Sequence, residues 1–171
     1  MTDQIVGKHK FTCIHCSDTP PSIKVNKAWL HQVHIVGNGW SKYGYSDVIH
    51  RDGIVENITP YNEDGFISYS EVTWGIKGLN YVSKHICLEG GRYQQKNNSG
   101  RYLSPTHGII PFTQDQLLAL WNYLAKELER NPDIIFAGHY QFNKWKTCPN
   151  MNVPFLLHNI FGISMKNIYH V

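Results

Sequence analysis

A helical pattern in the second half of the sequence places the strongest constraint on the fold. Apolar residues recur there at helical spacing, as Leu117, Leu120, Trp121, Leu124 and Leu128. Thr113 and Gln116 precede them at the spacing of a capping box, in which each side chain bonds a free amide of the first turn. Pro132 ends the pattern. The sequence therefore predicts one long amphipathic helix, with the leucines and Trp121 packed in the core.

Short apolar segments on both sides of this helix predict β-strands. They are residues 11–16, a hairpin at 45–56 that turns at Asp52 and Gly53, residues 85–89 and residues 134–136. Two shorter helices are predicted, one capped by Asn26 and one opened by Pro154. Residues 59–81 have no sustained period and predict a structured loop. Strands that alternate with helices, together with one hairpin, predict an α/β domain with a mixed central β-sheet flanked by helices.

Length and charge exclude several functional classes. The 171 residues, 42% of them hydrophobic, suit a single domain spanning residues 1–171. The formal charge is +3 and the basic residues are scattered, so no nucleic-acid partner is expected. The first ten residues lack the pattern of a signal peptide, and no segment has the apolar length of a membrane span. We therefore expect a monomer that is made in the cytosol, with no membrane span.

Four cysteines are the next candidates for chemistry. In a chain without an export signal, Cys13, Cys16, Cys87 and Cys148 are expected to be thiols or metal ligands rather than a disulfide framework. The spacing of Cys13 and Cys16 also fits half of a zinc ribbon or a redox pair. However, no second Cys-x-x-Cys follows, and strand alternation puts the two side chains on opposite faces. We expect Cys13, Cys16 and Cys87 to be core thiols.

The remaining cysteine lies near two strand ends that carry histidines. His15 ends the first predicted strand, and His139 and Cys148 flank a loop after the last one. A hydrolytic zinc site needs three protein ligands and one open position for water, and zinc accepts imidazole nitrogen together with thiolate sulfur. Spacing alone does not select these residues, because the chain has ten histidines and each could be a surface or core residue.

Several short motifs occur in a fixed order along most of the chain. They are residues 14–19 (IHCSDT), Gly39-Trp40 with Gly44-Tyr45, Val48-Ile49 with residues 51–53, residues 87–91 (CLEGG), Phe112-Thr113 with Gln116, and Gly138-His139 with residues 146–149 (KTCP). Together they resemble the zinc-dependent N-acetylmuramoyl-L-alanine amidases found among phage endolysins, wall-recycling amidases and peptidoglycan-recognition proteins. Because the matches are collinear, they carry more weight than any one motif. The resemblance implies the amidase/peptidoglycan-recognition fold, with endolysins as the most similar members.

The resemblance also implies roles for individual residues. His15, His139 and Cys148 would hold one Zn²⁺ per chain, and zinc-activated water would cleave the amide bond between N-acetylmuramic acid and L-alanine. Tyr45 would hydrogen-bond the water or the tetrahedral intermediate, and Lys146 would stabilise the developing oxyanion. From residue type alone, Tyr45 could instead be a packed strand aromatic and Lys146 an ordinary solvated lysine.

Three functions remain open within this resemblance. The expected one is a phage endolysin that hydrolyses peptidoglycan, made in the host cytoplasm and acting on the periplasmic wall after release. The alternatives are a non-catalytic peptidoglycan-binding or regulatory protein on the same fold, and a cytosolic wall-recycling amidase acting on soluble muropeptides. Catalysis is favoured because Cys148 is present, whereas its loss commonly marks the non-cutting members.

A few positions depart from the family pattern. Ser46 and Gly75 stand where many members have histidine, and His85 stands where glycine is usual. We expect the departures at Ser46 and Gly75 to affect substrate preference, and the departure at His85 to affect the shape of the groove. The polar, turn-rich segment 92–111 is longer than usual, and we expect a mobile loop that forms one wall of the substrate groove. Within it, Arg92 and Arg101 would meet carboxylates of the peptide stem.

Overall fold

In the computed structural model, which describes residues 3–105 and 110–170, seven strands form two sheets. The strands are β1 (Ile5–Lys8), β2 (Phe11–Cys16), β3 (Asp47–Ile49), β4 (Val55–Asn57), β5 (Phe66–Ser68), β6 (Ser83–Leu88) and β7 (Ile135–Gly138). The main sheet has the order β4-β3-β6-β2-β7, and all its neighbours are parallel except the hairpin pair β3 and β4. This confirms the predicted α/β fold with a mixed central sheet.

Helices cover both faces of this sheet. They are α1 (Lys27–Leu30), which continues with π-type hydrogen bonding through His31–Gly37, α2 (Gln114–Arg130), α3 (His139–Phe142) and α4 (Val153–Phe155), which continues as a π-helix through Leu156–Ile160. Short 3₁₀ turns occur at Tyr69–Glu71 and Met165–Asn167. Asn26 caps α1 and Pro154 lies in the first turn of α4, as predicted. No helix in the described ranges combines the length and apolar character needed to cross a membrane.

The two faces of β2 have different environments. Ile14 points toward α2, where it joins a core that includes Ile86, Leu120 and Phe136. The opposite face of the sheet packs Val48, Leu30 and other residues of the α1 side. Because side chains alternate along a strand, His15 points to this second face. Thus β2 supplies one core with its even-numbered residues and the candidate metal centre with its odd-numbered ones.

Helix α2 begins as the capping box predicts. The Thr113 hydroxyl accepts the Gln116 backbone N–H, and the Gln116 side chain accepts the Thr113 N–H. Leu120 and Leu124 are fully buried. The prediction that Trp121 packs in the core is wrong, because its side chain is 42% exposed and its indole N–H donates to the Phe161 carbonyl. An indole has a polar N–H, and this position on the helix lets that group reach the surface.

A buried group of charges lies between α2 and the sheet. The Lys84 ammonium is 3.4 Å from the Glu127 carboxylate and 3.7 Å from that of Asp47. The Tyr123 hydroxyl donates to the Asp47 carboxylate. These opposite charges lie on the far side of the sheet from His15, so they belong to the packing of α2.

Two loop predictions need correction. Residues 59–81, predicted as a structured loop, contain the short strand β5, which pairs with β1 as a second sheet, and the 3₁₀ turn Tyr69–Glu71. In the described part of segment 92–111, Tyr93 and Asn97 donate backbone N–H groups to the Leu103 and Arg101 carbonyls and form a hairpin, and the expected mobility of the segment stays a prediction. Residues 106–109 of that segment lie outside the described residues.

Candidate metal centre

Three side chains of the predicted ligand set converge. His15 lies near the end of β2, His139 directly follows β7, and Cys148 follows α3 on the next loop. Their potential ligand atoms all lie within 4.8 Å of one another. Because β2 and β7 are adjacent parallel strands, their carboxyl ends bring the two histidines to the same edge of the sheet.

The donor atoms fit a zinc ion. Zinc bonds of about 2.0–2.3 Å place two ligand atoms up to about 4 Å apart around one ion. Nδ1 of His15 is 3.8 Å from Sγ of Cys148. The His15 and His139 rings are 4.8 Å apart between centroids. Two imidazoles and one thiolate form a donor set that zinc accepts, with a fourth position left open.

The protonation states also suit metal binding. Contacts with Cys16 first, and then with His139 and His15, hold the pKa of the Cys148 thiol well below its usual value. The backbone N–H of Cys16 donates to Sγ of Cys148 at 3.2 Å, which favours the thiolate. Burial lowers the pKa of His15, so its imidazole is neutral at pH 7. Neutral imidazole and thiolate are the forms that coordinate metal.

Behind His15 is a second imidazole that the sequence did not identify as part of the site. Nε2 of His15 is 3.1 Å from Nδ1 of His85, on the neighbouring strand β6. His15 and His85 are 1% and 0% exposed. His85 does not line the cleft, so it contacts the candidate ligand from the protein side. No sequence motif predicts this contact, because it depends on the register of two strands that are distant in sequence.

A cleft of about 300 Å³ opens over the three candidate ligands. Its walls include the two other predicted residues, Tyr45 and Lys146. The Tyr45 ring is 5.3 Å from that of His15, and burial, with the nearby Cys87 thiol, raises the Tyr45 pKa well above its usual value. Lys146 is exposed on the loop that leads to Cys148. The structure thus brings all five predicted site residues to one cleft.

Three tryptophans around the cleft were not predicted as site residues. Trp40 and Trp74 lie on one side, with ring centroids 6.2 Å apart, and Trp145 is 85% exposed on the loop of Lys146. Large exposed aromatic faces bury apolar and ring surfaces of ligands. Because the three tryptophans are far apart in the sequence, the sequence did not indicate that they share a cleft.

The departures from the family pattern have different outcomes. Ser46 is buried, and its hydroxyl donates to the His85 carbonyl, so it does not line the cleft, and its expected effect on substrate preference stays a prediction. Gly75 does line the cleft. A Cβ atom at Gly75 would lie 2.3 Å from Cγ of His85, so these two departures are in direct contact.

The predicted role of segment 92–111 is not supported in its described part. None of its described residues lines the cleft. The Arg92 guanidinium donates two hydrogen bonds to the Asp18 carboxylate, at 2.6 and 2.7 Å, so its charge is already paired within the protein. Asn150 also donates to Asp18. Asp18 and Asn150 themselves lie in the cleft wall, and Arg92 supports that wall from behind.

Comparison with known proteins relates the chain to phage endolysins. It is 29% identical over 142 residues to an endolysin of Escherichia phage T7 and 28% identical over 140 residues to one of Enterobacteria phage K11. Each alignment covers 82% of this chain and 80% of the relative. No protein-family model matches the chain.

Solved structures share the fold over nearly the whole chain. An amidase, LysCS from Clostridium intestinale URNW, has a TM-score of 0.65 at 14% identity, covering 96% of this chain and 90% of its own. The Ph2119 endolysin from Thermus scotoductus MAT2119 bacteriophage Ph2119 has a TM-score of 0.63 at 18% identity, with coverages of 95% and 90%. Drosophila PGRP-LB has a TM-score of 0.63 at 17% identity, with coverages of 95% and 86%. At these identities the likeness shows the fold.

Proposed function

Because the chain is similar in sequence to phage endolysins and in fold to N-acetylmuramoyl-L-alanine amidases and peptidoglycan-recognition proteins, we propose that it belongs to their family and is an amidase of bacterial peptidoglycan. It hydrolyses the amide bond between N-acetylmuramic acid and L-alanine. The observation that carries this proposal is the convergence of His15, His139 and Cys148 at the floor of an open cleft. A binding protein would need the cleft but not a low-pKa thiol beside two imidazoles.

In this proposal the three converging side chains hold one zinc ion. When bound, zinc supplies a Lewis acid that activates water and polarises the scissile carbonyl. His15 offers Nδ1, the nitrogen that faces Cys148, and Cys148 offers its thiolate. The protein fixes the ligands before the metal arrives, because His15 is buried and Cys148 accepts a backbone hydrogen bond.

Tyr45 and Lys146 stabilise charge on the substrate side of the cleft. The raised pKa of Tyr45 keeps its hydroxyl protonated at neutral pH, so it donates a hydrogen bond to the oxygen that becomes negative during attack. Lys146, which also lines the cleft, supplies a cation. Trp145 and Trp74 offer aromatic faces for the sugar and peptide on either side of the bond.

The biological setting follows from the relatives. We propose a phage endolysin, one catalytic domain acting as a monomer, that is made in the host cytoplasm and reaches the periplasmic wall after release. Comparing kcat/KM on whole sacculi and on small soluble muropeptides tests this proposal. A strong preference for sacculi supports the endolysin, whereas a preference for soluble muropeptides would assign a wall-recycling role.

The bond specificity is tested with purified protein and sacculi. An amidase releases new amino termini of L-alanine and no new reducing sugar ends, and both can be counted in the same digest. Removing zinc with a chelator should abolish amine release, and adding zinc back should restore it. New reducing ends without amines would overturn the amidase assignment. Sacculus binding without either product would favour the non-catalytic alternative.

A further inference from the structure

The buried imidazole of His85 has no evident role in packing alone. It is fully buried on β6, and its Nε2 atom has no hydrogen-bond partner among the residues that the structure describes. Burying an unpaired polar atom costs folding free energy, so an apolar side chain would suit a purely structural position better. Within residues 3–105 and 110–170, the only hydrogen bond of its side chain is the one with His15.

The direction of that hydrogen bond follows from metal coordination. Nδ1 of His15 faces Cys148, so it must be free of a proton to bind zinc. The proton of the neutral ring then lies on Nε2, which donates to Nδ1 of His85 at 3.1 Å. His85 in turn carries its own proton on Nε2, the atom without a partner. Partners of this kind fix the orientation and tautomer of a ligating histidine.

Glycine at position 75 leaves the space that the His85 ring occupies. An added Cβ at Gly75 would meet Cγ, Nδ1 and Cδ2 of His85 at 2.3–2.8 Å. A side chain at position 75 is therefore incompatible with the present ring position. Because Gly75 lines the cleft, the ring of His85 lies between a cleft loop and the candidate ligand.

We propose that His85 is a positioning residue that accepts the Nε2–H of His15, directs Nδ1 of His15 toward the metal, and requires glycine at position 75. The inference rests on the proposed zinc site. It adds a residue outside the ligand set, and it makes Gly75 a determinant of metal affinity although Gly75 has no side chain.

The first test measures zinc affinity by competition with a chromophoric chelator, and the visible spectrum of the cobalt-substituted protein. His85→Leu should raise the zinc Kd by about 10- to 100-fold and broaden or shift the cobalt bands. His85→Asn should restore most of the affinity, because its side-chain oxygen can accept the same N–H. Ile86→Val is the matched control: it reduces packing on the opposite face of β6 and should leave both readouts unchanged.

The second test uses a double-mutant cycle. Gly75→Ala should weaken zinc binding by displacing the His85 ring, and it should have much less effect in the His85→Gly background, where no ring is present. Additive effects would show that the two positions act independently, and would overturn the coupling.

The outcomes separate this inference from the proposed function. If the unmodified protein binds no zinc, the metal centre itself is wrong. If it binds zinc, and His85→Leu keeps the same Kd and cobalt spectrum while only the unfolding temperature of the metal-free protein falls, His85 is structural and the positioning role is refuted.

Discussion

At the scale of single residues, Cys148 is the ligand whose chemistry depends most on its neighbours. Its thiol pKa is well below the usual value, with Cys16 and two histidines as the main causes. Cys148→Ser replaces the thiolate with a hydroxyl that stays protonated, so the protein should lose zinc on dialysis while keeping its circular dichroism spectrum. Thr147→Ser, next to it, is the control and should retain one zinc per chain. Full zinc content in the Cys148 variant would reassign the ligand.

Lys146 is predicted to affect turnover without affecting the metal. It lines the cleft but is not among the converging donors. Lys146→Ala should retain zinc and reduce kcat by about 10²- to 10³-fold, the usual effect of removing one donor to a developing oxyanion. Lys144→Ala removes a nearby lysine that lies outside the cleft lining, and should leave kcat close to that of the unmodified protein. Loss of zinc in Lys146→Ala would make that lysine structural.

The candidate ligands could be found from sequence, but their surroundings could not. His15, His139 and Cys148 were identified because each lies in a short motif of matching order. His85 and Trp145 lie in no motif of that kind, and their roles depend on which strand or loop they face after folding. The prediction that the Arg92 guanidinium meets a carboxylate of the peptide stem did not include its pairing with Asp18. The physical reason is the same, since Asp18 is 74 positions away in the sequence.

At the scale of elements, Gln116 joins helix α2 to the sheet. Its side-chain amide donates to the Ile49 and Glu89 carbonyls at the ends of β3 and β6, and it is 0% exposed. Gln116→Ala would remove both of these bonds, and the Ile49 carbonyl would keep only the Glu89 N–H, so the free energy of unfolding should fall by about 1–3 kcal/mol. Urea unfolding of the metal-free protein measures this.

The matched control lies two residues earlier in the same helix. Gln114 is exposed in the first turn of α2, so Gln114→Ala should change the free energy of unfolding by less than about 0.5 kcal/mol. An equal loss in both variants would mean that the effect is one of helix propensity, and that the bonds to the sheet contribute little.

Elements with a long local pattern were predicted well, and elements that depend on distant pairing were not. Helix α2 and the β3–β4 hairpin have their caps and turns within a few residues. The pair β1 and β5 was missed because both strands are short and about 60 residues apart, so neither has a pattern without the other. The hairpin in segment 92–111 was missed for a similar reason. Its residues are polar and pair through backbone hydrogen bonds, so they give no apolar pattern in the sequence.

At the scale of the whole molecule, buried histidines make stability depend on pH. Burial lowers the pKa of His9 and of His34 below the ordinary histidine value of about 6.5. The unfolded chain therefore binds more protons below pH 6.5, so stability is fully present above that pH and is lost as pH falls toward the lower folded pKa values. The free energy of unfolding of the metal-free protein should decrease when the pH is lowered from about 7 to 5.

Variants identify the source of this dependence. His34→Gln should reduce the slope of unfolding free energy against pH, whereas His31→Gln, at an exposed position on the same helical segment, should leave it unchanged. A slope that is the same in all three proteins would exclude His34 as a contributor.

The main-sheet topology also determines when the catalytic centre can exist. His15 is supplied by β2, whereas both other candidate ligands follow β7, the strand at one edge of the main sheet, which pairs with β2 and forms one further bridge between Phe136 and Ile168. A chain whose β7 has not yet docked would offer only one of the three candidate ligands, so the proposed metal centre would be incomplete. Zinc binding should therefore slow amide hydrogen exchange in Ile135–Gly138 much more than in Val55–Asn57 at the opposite edge. In such an enzyme, hydrolytic activity begins only after β7 has paired with β2.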